Sequence, residues 1–316
     1  MTDTREPTRQ FAYLVQGRAA LVERFSGLQC ETSDLFFLTY DKELKIPGAH
    51  GIYDPEISWA GGRNRLLALA QQRAYEYLVF LDDDVKFTSG CFGEFEQLLT
   101  RYRPYVGIPL VDEIQRSGRW CPRLDVQVPI ALDQVVQAFS SEAVKDGALI
   151  PYSTDFDHIS WWYSCEINQY QILSRFRERV AQFNSIRVTN AIHSWNDGVV
   201  APGSSYKGGI SKEGLAEVRR FLDLDSVTPG KGPWEKLGRD NFIPQGHPYQ
   251  LWVVLKSSLT LTTSANLKKR IRKLKEACQL LASLALYSGL WRQRRVRLCL
   301  PFEKRVGLER EAEKDL

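Results

Sequence analysis

Along the first third of the chain, apolar runs alternate with segments of helical period. Residues 11–15 (FAYLV) and 35–40 (LFFLTY) are continuous apolar and aromatic stretches that predict buried strands, with a brief helix predicted over 19–25 between them. Pro47, Gly48, Gly51 and Pro55 predict an irregular loop after the second strand. The stretch RNRLLALAQQRAYE (63–76) places Leu66, Leu69, Ala70 and Ala74 at helical spacing and leads into YLVFL (77–81), another buried strand. Strands apolar on both faces, separated by helices, predict an α/β architecture with a mainly parallel sheet and helices on both sides.

Beyond Asp82-Asp83-Asp84, the pattern predicts a loop and helix over 85–102 and a strand at 106–111. It then loosens: VQVPIAL and QVVQAF within 112–155 are strand-like. A long helix follows over 157–180, then a strand at 185–192 and a helix near 211–222. The Gly- and Ser-rich stretch 198–214 predicts a mobile loop, of which 198–209 is expected to order over a bound ligand.

Composition adds an asymmetry. The 316 residues carry a net charge of +4, but 264–302 hold ten basic side chains and one acidic, so the remainder is mildly acidic. Within that segment Leu267, Ile271, Leu274, Cys278, Leu281 and Ala285 recur at helical spacing among Lys and Arg, which predicts a basic amphipathic helix. Such a helix has three uses: docking on the body, lying on an anionic membrane surface, or contacting nucleic acid, the least favoured since no nucleic-acid-binding module accompanies it. The organisation is therefore read as 1–111, 112–263 and a C-terminal helical appendage at 264–316. The polar N-terminus and the short apolar runs are read as a cytoplasmic chain, peripheral at most on the inner face of a membrane, with no transmembrane helix. Six scattered cysteines without zinc spacing are expected to be reduced thiols.

Three aspartates at the carboxyl end of a buried strand raise the question of chemistry. Ionised carboxylates at ~4 Å repel one another by on the order of 1 kcal/mol or more. Mg²⁺ or Mn²⁺, with substrate phosphates filling its remaining positions, removes that cost. The other reading is a strand end that caps the following helix.

The segment GGRNRLLALAQQRAYEYLVFLDDDV (61–85) resembles GT-A fold glycosyltransferases of the family 2 type, in which an Arg-Asn helix start precedes an apolar strand and a D-x-D motif; here Asn64 precedes Asp82 by 18 positions. The resemblance extends over 11–111 and more loosely over 135–195. It implies a GT-A (Rossmann-like) domain transferring a sugar from a nucleotide-diphosphate donor to a hydroxyl acceptor. The implied setting is bacterial cell-surface polysaccharide or lipid-linked glycan synthesis, with a glycan or lipid-linked acceptor.

The same resemblance puts Asp82 and Asp83 near the sugar nucleotide and Asp82 and Asp84 at the metal. It puts Asp41 near the base, Arg63 and Asn64 facing the nucleotide, and His193 as a third metal ligand. A catalytic base is implied in TDFDHISWWYSC (154–165), Asp157 first and Asp155 second, with Trp161 and Trp162 beside the acceptor and one of the aromatics 161–163 lining its cleft. For Asp157 the other reading is a helix N-cap. The family's Glu-Asp pair is absent, so inversion or retention stays open. A haloacid dehalogenase phosphatase is excluded because Lys86 stands where that motif wants Thr or Val. Two alternatives remain: a nucleotidyltransferase using the same carboxylates, and a noncatalytic membrane-associated scaffold.

Overall fold

The computed structural model describes residues 9–116, 120, 124–129, 132–176, 179–190 and 212–223. His193, most of the 198–214 loop, and the basic segment 264–302 lie outside these residues, as does the side chain of Trp161.

The chain begins β1 (Phe11–Gly17), α1 (Ala19–Val22) with a 3₁₀ turn over Glu23–Leu28, β2 (Ser33–Thr39), β3 (His50–Tyr53), α2 (Trp59–Ala70) and β4 (Tyr77–Asp82). It continues through β5 (Val85–Ser89), α3 (Phe92–Tyr102), β6 (Val106–Val111), α4 (Asp112–Arg116), β7 (Val126–Gln127) and β8 (Val136–Ser140). The remaining elements are α5 (Ser141–Asp146), α6 (Trp161–Arg175), β9 (Val180–Asn190) and α7 (Lys212–Phe221).

All described strands join one nine-stranded sheet in the order β3-β2-β1-β4-β8-β6-β9-β5, with β7 paired to β9. The first four run parallel, β8 is antiparallel to both β4 and β6, and β6 and β9 are again parallel. Parallel character is thus concentrated in β3-β2-β1-β4, and strands from either side of position 111 share the sheet.

Continuous apolar strands supply two cores because successive side chains point to opposite faces. On one face lie Phe11, Tyr13, Val15, Leu35, Phe37, Val79 and Leu81, covered by Phe95 and Leu99 of α3. On the other lie Ala12, Leu14, Phe36, Leu38, Leu78 and Phe80, covered by Leu66, Leu67 and Ala70 of α2 and Ile172 of α6. The α/β expectation with helices on both faces holds.

Several boundaries differ from the sequence expectation. The region read as an irregular loop contains β3, whose residues alternate between half-buried and exposed and so lack an apolar run. Helix α2 starts at Trp59, four residues early, because the Ser58 side chain accepts from the Gly61 amide at 3.0 Å and caps it there. Residues 85–89 form β5, drawn into the sheet by pairing with β9. Helix α6 starts at Trp161 rather than 157, capped by Ser160, and the strand that follows begins at Val180 instead of 185. No helix among the described residues is long and apolar enough to cross a membrane.

Candidate functional site

The carboxyl ends of β1, β2 and β4 meet along one edge of the parallel half-sheet, with Gln16 in register with Asp82 and Gly17 with Thr39. In an open α/β sheet this edge is where ligands bind. It is where the three aspartates stand.

Asp82 ends β4 with its side chain 28% exposed. One of its oxygens accepts from the Arg63 guanidinium at 2.6 Å, and the Trp59 side chain also donates to it. Burial, reinforced by the Asp84 charge, holds this carboxyl above its ordinary range in spite of Arg63. Asp83 is buried and accepts from the Arg18 backbone N–H at 2.8 Å, with the Arg18 Nε at 3.6 Å. Burial, together with Asp84 and Asp82, pushes it up to about 6. Gly17 makes this approach possible: a Cβ there would lie 2.0 Å from the Cβ of Asp83. Asp84 is buried at 1% exposure.

Arg63 lies in the second turn of α2 and is fully buried, so it faces inward instead of presenting itself to a ligand as the resemblance implies. Its guanidinium stacks 4.2 Å from the Trp59 ring centroid, with Phe80 and Tyr152 at 5.5 Å, and donates to the Gln134 carbonyl at 2.9 Å and the Tyr152 hydroxyl at 3.3 Å. Asn64 is likewise turned onto protein: its amide N–H donates to the Tyr152 carbonyl at 2.8 Å while its oxygen accepts from the Tyr152 N–H at 2.7 Å. Asp41 is exposed on the same edge and accepts from the amides of Ala19 (2.8 Å) and Lys42 (2.9 Å).

On the side of α6, Asp157 accepts from the hydroxyls of Ser58 and Ser164 (the latter at 3.0 Å) and from the Gly61 amide. It therefore caps α2 across space, while Ser160 caps α6. Burial raises its carboxyl despite these donors. Asp155 is exposed and accepts from its neighbour Ser153 at 2.6 Å. Trp162 is half-buried; Tyr163 is fully buried against Phe156 and the backbone of Gly214 in α7, in a satellite core with Ile167, Leu215 and Val218.

Some members of this edge are not singled out by motif. Gln16 is buried with its Oε1 unpartnered among the described residues. The Tyr40 phenol is raised by burial and by the neighbouring Asp83 charge. Arg18 supplies both its backbone N–H and its guanidinium to Asp83. Their signal is positional: each stands within one residue of the last residue of a buried parallel strand.

Whether these residues suit a divalent cation can be tested on their donor set. Three hard oxygen donors of like charge, two of them held above their ordinary range partly by their neighbours, leave an excess of negative charge over Arg63 and Arg18. That fits Mg²⁺ or Mn²⁺. Among the described residues no three His, Cys, Asp or Glu side chains converge to enclose a metal, so part of the coordination would come from phosphate and water.

No protein-family model matches the chain, and no curated protein sequence matches it. Among solved structures, S. aureus TarS residues 1–349 in complex with UDP-GlcNAc is similar at 10% identity and TM-score 0.43, over 91% of this chain and 88% of that one. GalNAc-T7 with UDP, GalNAc and Mn²⁺ is similar at 10% identity and TM-score 0.47, over 75% of this chain and 55% of that one. A197 from STIV is similar at 11% identity and TM-score 0.33, over 57% and 84% respectively.

Proposed function

We propose that this chain is a GT-A type glycosyltransferase that moves a sugar from a nucleotide-diphosphate donor to a hydroxyl acceptor with the help of Mn²⁺ or Mg²⁺. The observation that carries the reading is the set of carboxylates Asp82, Asp83 and Asp84 at the carboxyl edge of β3-β2-β1-β4, flanked by Arg18, Tyr40 and Asp41. An anionic diphosphate would be repelled by this edge unless a divalent cation reversed its sign.

Asp84 and Asp82 would hold that cation, which would supply charge stabilisation for the departing diphosphate. Arg63 and Trp59 fix Asp82 from behind, and the Arg18 amide fixes Asp83, so the edge is positioned before a donor arrives. The acceptor approaches from the side of α6. The resemblance further suggests bacterial surface polysaccharide or lipid-linked glycan synthesis, with the basic segment 264–302 resting on an anionic membrane surface.

Incubating the full chain with a panel of UDP-, GDP- and dTDP-sugars and Mn²⁺ tests this. Metal-dependent release of a nucleoside diphosphate is expected. Pyrophosphate release from a nucleoside triphosphate instead would identify a nucleotidyltransferase, and neither activity would leave the scaffold reading.

A further inference from the structure

Arg18 is fixed at one end and free at the other. It follows Gly17, the last residue of β1, which admits Asp83 so closely that a Cβ there would lie 2.0 Å from the Asp83 Cβ. Its backbone N–H donates to Asp83 Oδ2 at 2.8 Å, and its Nε stands 3.6 Å from the same oxygen. The Asp83 side chain is 6% exposed and that of Arg18 28%. Among the described residues the two Nη groups of Arg18 have no hydrogen-bond or ion-pair partner. A guanidinium carries its N–H donors in a rigid planar fork, so a carboxylate at Nε leaves the outer donors able to grip two oxygens of a phosphate.

The surroundings favour that use. The Tyr40 phenol, half-buried one residue past β2, lies within electrostatic reach of Asp83, Arg18, Asp41 and Asp82 together, which puts the guanidinium among the carboxylates of the edge. Arg63, the other arginine there, is sealed in protein and already holds Asp82, Gln134 and Tyr152. Lys42 and Lys86 are exposed, but neither side chain makes an ion pair with a described residue. Among the described residues, Arg18 is therefore the cation of this edge that is both anchored and accessible. The buried Asp83 carboxylate is accounted for as well, because its Oδ2 aims the arginine.

We propose that Arg18, aimed by Asp83, grips the diphosphate of the sugar nucleotide from the β1 side of the carboxylate edge. The inference rests on the glycosyl-transfer reading above and divides the three aspartates by role. Asp82 and Asp84 serve the cation, whereas Asp83 is a positioning residue that acts through Arg18. With its backbone pinned and its Nε directed before the ligand arrives, Arg18 loses less side-chain freedom on binding than an unanchored lysine. A phosphate that completes the coordination of the cation is then held by metal and guanidinium together.

The test uses the full chain, with UDP and uridine as probes by calorimetry in the presence of Mn²⁺, and Mn²⁺ alone by electron paramagnetic resonance. Arg18→Leu is expected to weaken UDP roughly 10–100-fold. Uridine, which lacks the phosphates, should stay within about threefold of wild type, and Mn²⁺ alone should bind no more weakly. Adding Asp83→Asn to Arg18→Leu should cost less than about threefold further in UDP affinity, since Asp83 acts through the arginine. Wild-type UDP affinity in Arg18→Leu, an equal loss for uridine, or a loss of Mn²⁺ affinity would each overturn the proposal while leaving the donor reading intact. A full additional loss in the double variant would remove the positioning role of Asp83. Should Arg18→Leu not fold, Arg18→Lys takes its place: weakened UDP at unchanged uridine affinity is expected, and wild-type UDP affinity overturns the proposal. If the wild-type chain does not bind UDP with Mn²⁺ at all, the donor reading fails and takes this inference with it.

Discussion

The Arg63 guanidinium, fully buried between Trp59, Phe80 and Tyr152, donates at 2.6 Å to Asp82, whose carboxylate is 28% exposed at the sheet edge. The pair is asymmetric: the cation is sealed in protein and the anion reaches the cleft. Asp82 is thus both the counter-ion of a core residue and a wall of the candidate site.

That asymmetry sets the order of stabilities. Removing the anion in Asp82→Ala strands a buried cation and should cost about 3–5 kcal/mol. Arg63→Met leaves a carboxylate that water can reach and should cost less. The double variant should be more stable than Asp82→Ala alone, so a double-mutant cycle by urea unfolding should show the pair of substitutions costing less than the sum of the two single ones.

Asn64 holds the backbone of Tyr152 through a pair of hydrogen bonds. Asn64→Ala is expected to lower stability by about 2 kcal/mol, each lost bond contributing roughly 1 kcal/mol. Affinity for UDP with Mn²⁺, measured by calorimetry, should change by less than about threefold. A large loss of affinity without loss of stability would instead place Asn64 on the nucleotide.

Gly17 admits Asp83, so Gly17→Ala must push that carboxylate aside and should destabilise by about 1–3 kcal/mol. Gly27, whose added Cβ would meet nothing within 4 Å, is the control, and Gly27→Ala should lie within roughly 0.5 kcal/mol of wild type. Thermal unfolding of both variants gives the comparison.

Glu166 makes stability depend on pH. Its carboxyl is raised from 4.5 to about 8, so below 4.5 folded and unfolded chains are both protonated and nothing is lost. Between these values the unfolded chain releases the proton while the folded one retains it, and stability declines with rising pH until it levels off above about 8. The Glu166 contribution to that decline is on the order of a few kcal/mol. Chemical unfolding between pH 4.5 and 8.5 should show Glu166→Gln with a flatter profile, and with greater stability than wild type at the alkaline end.

If the carboxylate edge holds a cation, UDP with Mn²⁺ at about 100 times its Kd should stabilise the wild-type chain by about 2.7 kcal/mol. Asp84→Asn, nearly isosteric at a buried position, should abolish the accompanying Tm increase, as should EDTA. An equal increase in Asp84→Asn would remove Asp84 from the metal.

The legible parts of the fold are those whose burial is nearly complete. Strands β1, β2 and β4 are apolar at successive positions because both faces are covered, and such runs can be read without knowing which helix covers which face. Strand β3 escaped because its residues are only partly buried, and β5 because its partner β9 lies about a hundred residues away in the chain. In a linear reading Asp157 looked like the cap of its own helix, but the serine it meets is Ser58, 99 positions earlier.

The local pattern of residues suffices to place three aspartates at the end of a buried strand, since period, breakers and charge all act within a few positions. Arg63 could be seen near that strand, but not its direction, because Gln134 and Tyr152, 71 and 89 positions later, close the pocket that turns it inward. Glu166 could be seen as a lone acid in an apolar and aromatic helix. That its carboxylate stands near another anion, with no partner for Oε2 among the described residues, follows from the docking of α6 beside the Asp133–Gln134 segment, and electrostatic environment of this kind is a property of distances that the order of residues does not contain.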